Sequence, residues 1–115
     1  MAVRAHSHMV GISARKMRLV IDLVRGRPVA EALDTLRALP SPAAEAVSKT
    51  IRSAAANAEN NELMDRESLR IVTIMADRGP SLKRFRPRAR GRAGRFDRPS
   101  SHLTVEVDEA GARRA

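Results

Sequence analysis

The chain has 115 residues with no Cys, Trp or Tyr, and 22 Lys and Arg face 13 Asp and Glu, for a formal net charge of +9. Without Cys there is no disulfide or thiolate chemistry, which fits a reducing compartment, and no stretch approaches the ~18 apolar residues of a membrane span. One domain of this size buries roughly 60–70% of its unfolded surface, and its core must be aliphatic, because Phe85 and Phe96 both sit in a basic stretch.

The opening "MAVRAHSHMVGIS" lacks the apolar run of a signal peptide, so a soluble intracellular protein is expected. Charge is uneven along the chain. Residues 1–28 carry +5, residues 29–79 carry −2, residues 80–98 carry +7, and residues 99–115 carry −1. Two basic regions thus flank a near-neutral body, a pattern that asks for a polyanionic partner. Nineteen of the 22 basic residues are Arg. The guanidinium fork suits phosphate, although a GC-rich genome would give the same preference.

In chain order, "VRAHSHMVGI" reads as a strand. Ser13 then serves as an N-cap, followed by Met17, Val20, Ile21 and Val24 at helical spacing, with Gly26 as the stop. Pro28 suits the first turn of a short second helix whose stripe is Val29, Ala32, Leu33 and Leu36. Ser41 caps a third helix with Pro42 at its first position. Ala44, Val47, Ile51, Ala54 or Ala55, and Ala58 lie along one face, and Asn60 and Asn61 mark the end. "LRIVTIMAD" is rich in β-branched residues and reads as a strand. "HLTVEVDE" alternates, with Leu103, Val105 and Val107 on one face and His102, Thr104 and Glu106 on the other, the pattern of a half-buried antiparallel strand.

These two strands enclose "GPSLKRFRPRARGRAGRFDRPSSH", which holds Lys83, Arg84, Arg86, Arg88, Arg90, Arg92, Arg95 and Arg98 against Asp97 alone. The simplest connection is a long hairpin arm over 80–98, set on a body formed by 1–79 and 99–110, with a loose tail at 111–115. With Gly91 near the tip, Phe85 is expected to face Phe96, Arg84 to face Asp97, and Ile74 to face Val107. Cations at 84, 86, 88, 90 and 92 fall at every second position, which puts them on one side of an extended chain. Such phosphate contacts give affinity without reading sequence. A lone two-stranded arm is marginal in water, so order is expected to come with the partner. Phe85 and Phe96 can stack on bases or pack across the hairpin.

A second basic cluster, Arg15, Lys16, Arg18, Arg25 and Arg27, surrounds the first helix. It reads as a solvated face or as a second RNA contact. His-x-His at His6 and His8 can put two imidazoles on one side of a strand. With no Cys and no obvious acidic partner, no metal site is expected. Asp65 and Glu67 sit near a turn as ordinary solubilising charges. Asn57, Asn60 and Asn61 can bond RNA or a neighbouring loop. No nucleophile–base pair or phosphate-binding glycine loop is legible, so neither an enzyme nor a cofactor is expected.

Three separated motifs in order carry a resemblance over nearly the whole chain. "ISARKMRLVIDLVRGRPVAEAL" looks like the first two helices of the bacterial-type large ribosomal subunit protein twenty-two family. "SAAANAENN" resembles the end of that family's long helix. "GPSLKRFRPRARGRA" followed by "SHLTVEV" resembles its extended hairpin and returning strand. Asp97 and Pro99 depart from the pattern, which has an apolar and a basic residue there.

The resemblance implies an α+β body of three helices on a small three-stranded antiparallel sheet, with the arm extending from it. It implies binding to large-subunit (23S-type) rRNA early in assembly, in the cytoplasm, beside other large-subunit proteins and without homo-oligomers. The body would lie near the peptide exit. The arm would line the exit tunnel within reach of nascent chains, its tip drawn from Lys83, Arg84, Phe85, Arg86, Pro87, Arg88, Ala89, Arg90, Gly91 and Arg92. The stretch from Leu82 to Arg84 is where the family's bearing on macrolide sensitivity would fall. Two other readings remain open at this point: an architectural protein laying a basic β-arm on duplex DNA, and a small nuclease using His6, His8 or His102.

Overall fold

The computed structural model describes residues 2–87, 89–91 and 93–109. Arg88, Arg92 and the expected tail at 111–115 lie outside the described residues. The chain runs β1 (Val3–Val10), α1 (Ala14–Ile21), α2 (Val29–Arg37), α3 (Pro42–Asn61), β2 (Leu69–Arg78), β3 (Leu82–Pro87), β4 (Ala93–Arg98) and β5 (Ser101–Glu109). One antiparallel sheet has the order β1-β5-β2, and β3 and β4 form a separate two-stranded ribbon. This is the α+β arrangement of three helices and a three-stranded sheet that the residue patterns and the family resemblance both pointed to.

The helices begin where side chains can satisfy free backbone N–H groups. Ser13 Oγ accepts from Lys16 N, and Ser41 Oγ accepts from Ala43 N, with Pro42 at the first helical position, where its missing N–H costs nothing. Pro28 stands one position earlier than expected. It is the N-cap of α2, and its carbonyl accepts from Ala32 N. After Ile21, α1 tightens into turns in which Val24 N and Arg25 N both donate to the Ile21 carbonyl. Val24 therefore stays fully buried although the regular helix has ended. Gly26 leaves these turns at φ +78, a conformation that costs other residues strain.

The core lies between the helices and one face of the sheet. Alanines 43, 44, 54, 55 and 58 of α3, with Val47 and Ile51, are buried. Small side chains on that face let the helix lie close against β1 and β5. Leu103, Val105 and Val107 of the central strand are fully buried beneath it. Among the described residues no helix is long and apolar enough to cross a membrane.

Two irregularities shift the register. In β2, pairing runs Ile71↔Val107 and then Thr73↔Glu106, leaving Val72 as an extra residue. The inward phase changes there from Leu69 and Ile71 to Ile74 and Ala76, so the bulge keeps four apolar residues on the core side. In β1, His8 and Met9 oppose the single residue His102, and Met9 takes φ +51. The expected pairing is corrected accordingly: Ile74 faces Val105 rather than Val107. In the ribbon Arg84 faces Phe96, Phe85 faces Arg95, and Lys83 faces Asp97. The ribbon register is offset by one residue from the expected one. The stretch Gly79–Ser81 is then opposed by only two residues, Pro99 and Ser100, which moves the body register by one more.

Ile51 is fully buried on α3 against the sheet. We expect Ile51→Ala to lower the unfolding free energy by about 2–5 kcal/mol in urea titrations at an unchanged denaturant slope. A loss below about 1 kcal/mol would mean that α3 is not packed as described.

Candidate nucleic-acid interface

The arm leaves the sheet through a narrow junction. Pro80 and Pro99 lack an N–H, so the ladder of hydrogen bonds stops between Arg78↔Ser101 and Leu82↔Arg98. What joins the two sides there is local. Gly79 N donates to Ser100 O at 3.0 Å, and Ser100 Oγ donates to Pro80 O at 2.5 Å. A Cβ at Gly79 would lie 2.8 Å from Ser100 Oγ and 3.3 Å from His102 Cε1, so glycine is what the close approach permits.

Beyond this junction Leu82–Pro87 pairs with Ala93–Arg98 without interruption. Of the two departures from the family pattern, Asp97 pairs with Lys83 within this ladder, whereas Pro99 lies at the junction where the pairing is interrupted. Ala89–Gly91 forms a short helical turn, and Gly91 takes φ +75. Lys83, Arg84 and Arg86 lie on the outgoing strand, Arg90 in the turn, and Arg95 and Arg98 on the return. Arg88 and Arg92 lie outside the described residues. Of the residues assigned to the tip, Lys83 and Arg84 stand at the second and third rungs from the root, because the turn falls at Ala89–Gly91. Phe85 and Phe96 are not register partners, which removes direct cross-strand pairing of the two rings. The molecule spans 62 × 25 × 23 Å, with a radius of gyration of 17.1 Å. A compact domain of this length would have about 13 Å.

The five cations near α1 divide into two groups. Arg15 and Lys16 are exposed, and their side chains have no partner among the described residues. The other three hold the body together. Arg18 Nε and Nη2 donate to Ala76 O at 3.2 and 3.0 Å. Arg25 Nη2 donates to Ile74 O at 3.0 Å, while its Nη1 meets Asp22 Oδ1 at 2.6 Å. Arg27 Nη1 meets Glu31 Oε1 at 2.7 Å, and its carbonyl accepts from Ile71 N at 3.0 Å. β2 is an edge of the sheet, so the Ile74 and Ala76 carbonyls would otherwise be open to solvent or to another strand. These arginines close that edge. A guanidinium has five N–H donors, so each still has some to offer outward. Sequence reasoning did not single out Arg78, exposed on the last rung of β2 before the arm. Its signal was its place next to Gly79.

Most of the remaining candidates have structural partners. Asp65 Oδ1 accepts from Glu67 N and starts a short helical turn at Arg66–Ser68. Asn57 Nδ2 donates to Arg4 O at 3.4 Å, while Asn60 and Asn61 are exposed at the end of α3. His6, His8 and His102 come together across β1 and β5. Among the described residues no group of three or more His, Asp or Glu is arranged to hold a metal ion.

Fold and surface together define an α+β body carrying a long cationic hairpin arm. The family model described as Ribosomal protein L22p/L17e matches residues 5–108, and the chain belongs to this family. It is 54% identical over 107 residues to the large ribosomal subunit protein uL22 of Chloroflexus aggregans, covering 93% of this chain and 95% of that protein. It is 50% identical over 109 residues to the protein of the same name from Desulforamulus reducens, covering 95% and 96%.

The division among the α1 cations can be measured by urea unfolding. Arg18→Ala should cost about 1–2 kcal/mol, because it strips a charged donor from a partly buried carbonyl. Arg15→Ala combined with Lys16→Ala should stay within about 0.5 kcal/mol of the parent. Equal stability losses in the two variants would refute the division.

Proposed function

We propose that this chain is a structural, non-enzymatic constituent of the large ribosomal subunit in the cytoplasm. In this reading it binds large-subunit rRNA, aids its assembly beside other large-subunit proteins, and lines the nascent-peptide exit tunnel with its arm. The relatives that it matches along almost their whole length are named large ribosomal subunit protein uL22. The observation that carries the rRNA reading is the arm itself, a ribbon standing off the body with eight basic residues and one acid between Pro80 and Arg98. Lys and Arg on such a ribbon neutralise phosphates and release their counterions. RNA segments that repel one another can then pack around it. Arg15 and Lys16 provide a second contact from the body, and Arg18, Arg25 and Arg27 join it through the N–H groups their internal bonds leave over.

Binding to large-subunit rRNA, followed across a range of salt concentrations, tests this reading. With about seven phosphates neutralised, the log–log slope should be roughly −5 to −6. Deleting residues 82–94 should flatten that slope by more than half while the far-ultraviolet circular dichroism of the body persists. Duplex DNA should compete poorly. A slope shallower than about −2 in the full chain would sink the phosphate-binding role, and unfolding of the shortened chain would sink the separation of body from arm.

The tunnel position has its own readout. A photoreactive residue at Ala89, which is exposed in the turn, should cross-link to a nascent chain in stalled ribosomes. The same residue at Glu45, exposed on the body, should not. Equal yields at the two sites would contradict the proposed orientation.

A further inference from the structure

The face of the sheet turned away from the helices carries a row of imidazoles. His6 and His8 stand on β1 and His102 on β5. The His6 and His8 rings are nearly parallel, with centroids 5.8 Å apart and planes 21° apart. His8 meets His102 edge to face at 5.3 Å and 68°. The two outer rings are fixed by the fold. His6 Nδ1 lies 3.1 Å from Thr104 Oγ1. His102 Nδ1 accepts from Met9 N at 3.0 Å, a bond that exists because the bulge turns the Met9 amide away from the strand ladder. His8, between them, is exposed and makes ring contacts without a hydrogen bond among the described residues.

The charges around this row largely offset one another. Arg4 is paired with Glu106 at 2.5 Å, and Asp77 stands opposite His102 in the register. A face with three carboxylates, Glu106, Asp77 and Asp108, against Arg4 and Arg70 is poorly suited to a phosphate chain. It does offer ring planes, together with the side chain of Met75, which is 42% exposed opposite Thr104. The body has no other aromatic ring, since Phe85 and Phe96 are both in the arm. Exposed rings and weak local charge suit unpaired nucleobases, which stack on His as on other aromatic side chains. The row ends against Gly79, so a strand lying on it would lead to the root of the arm.

We propose that the outer face of the sheet is a second RNA surface, which takes unpaired nucleotides by stacking their bases on His8 and the two rings beside it. This rests on the rRNA-binding reading but differs from it in chemistry: the arm holds phosphates, and this face holds bases.

The test follows the imidazole carbon–proton signals and the arginine side-chain signals of the free protein by NMR. Single-stranded octanucleotides of uridine and of adenosine are added, and separately a duplex RNA. Single strands should shift all three ring signals, whereas duplex should shift the arginine signals and leave the rings in place. His8→Ala should weaken single-strand affinity about five- to tenfold. Its salt slope should not change, because no phosphate contact is lost. His8→Phe should restore the affinity, and an unaltered amide spectrum in both variants would show that the fold is kept. If single strands move the arginine signals and not the rings, this proposal falls while the rRNA reading stands. If no RNA moves either set, both fall.

Discussion

The pairing of β2 with β5 is the constraint on which the rest of the molecule depends. β5 is the central strand, bonded on one side to β1 and on the other to β2. Its inward residues Leu103, Val105 and Val107 are fully buried under α3. Burial of each such side chain is worth roughly 1.5–3 kcal/mol, so the strand is fixed by the core. β2 and β5 run antiparallel side by side up to Arg78 and Ser101, and the chain must leave and re-enter the body at that end. The arm therefore takes its position from a strand pair held in the core. Pro80 and Pro99 end the body's ladder, and the Gly79–Ser100 contacts join the two sides before β3 and β4 begin pairing again.

Arginine serves opposite purposes in the two parts. In the body part of its charge is spent locally. Arg4 meets Glu106, Arg25 meets Asp22, and Arg27 meets Glu31. Arg18 and Arg25 also cover the carbonyls of an edge strand. That edge would otherwise be a template for another chain. In the arm the same residue type has a single acid, Asp97, to answer eight cations. The body can thus settle its electrostatics by itself, and the arm cannot. This separation keeps the concentrated positive charge apart from the packed core.

The parts of the fold that were legible in the sequence are those written in side-chain chemistry. Ser13 and Ser41 announced their helices, the Ala-rich face of α3 announced close packing, and alternation at Leu103, Val105 and Val107 announced the central strand. Register was less legible, because bulges are set by backbone. The slip in β2 did leave a trace in "LRIVTIMAD", where the buried phase moves from Leu69 and Ile71 to Ile74 and Ala76. The positive φ at Met9 left none, since methionine has no preference for it. The structural use of Arg18 and Arg25 was hidden for a related reason. Their partners are main-chain carbonyls, which every residue carries and no sequence pattern marks. His6 and His8 were visible as a pair, but His102 joined them only through strand pairing across almost the whole chain.

The physics of the arm explains why its charge is not answered by the body. Two like charges about 7 Å apart in water repel by only about 0.6 kcal/mol, and salt lowers that further. Repulsion of this size does not prevent a hairpin from forming, yet it adds up along the arm and discourages collapse. Collapse onto the body would also need carboxylates in number, and those of α1, α2 and β5 that are paired already answer arginines of the body. Nor does the arm have an apolar face of its own to bury, since Leu82, Phe85 and Phe96 are its only large apolar residues. A two-stranded ribbon without such a face is marginal in water. What the sequence specifies is therefore a projection whose root is determined by the core and whose cations, under the proposed function, would be answered by surrounding negative charge. RNA folding around it would supply that charge at the stage when its own segments most need the repulsion between them reduced.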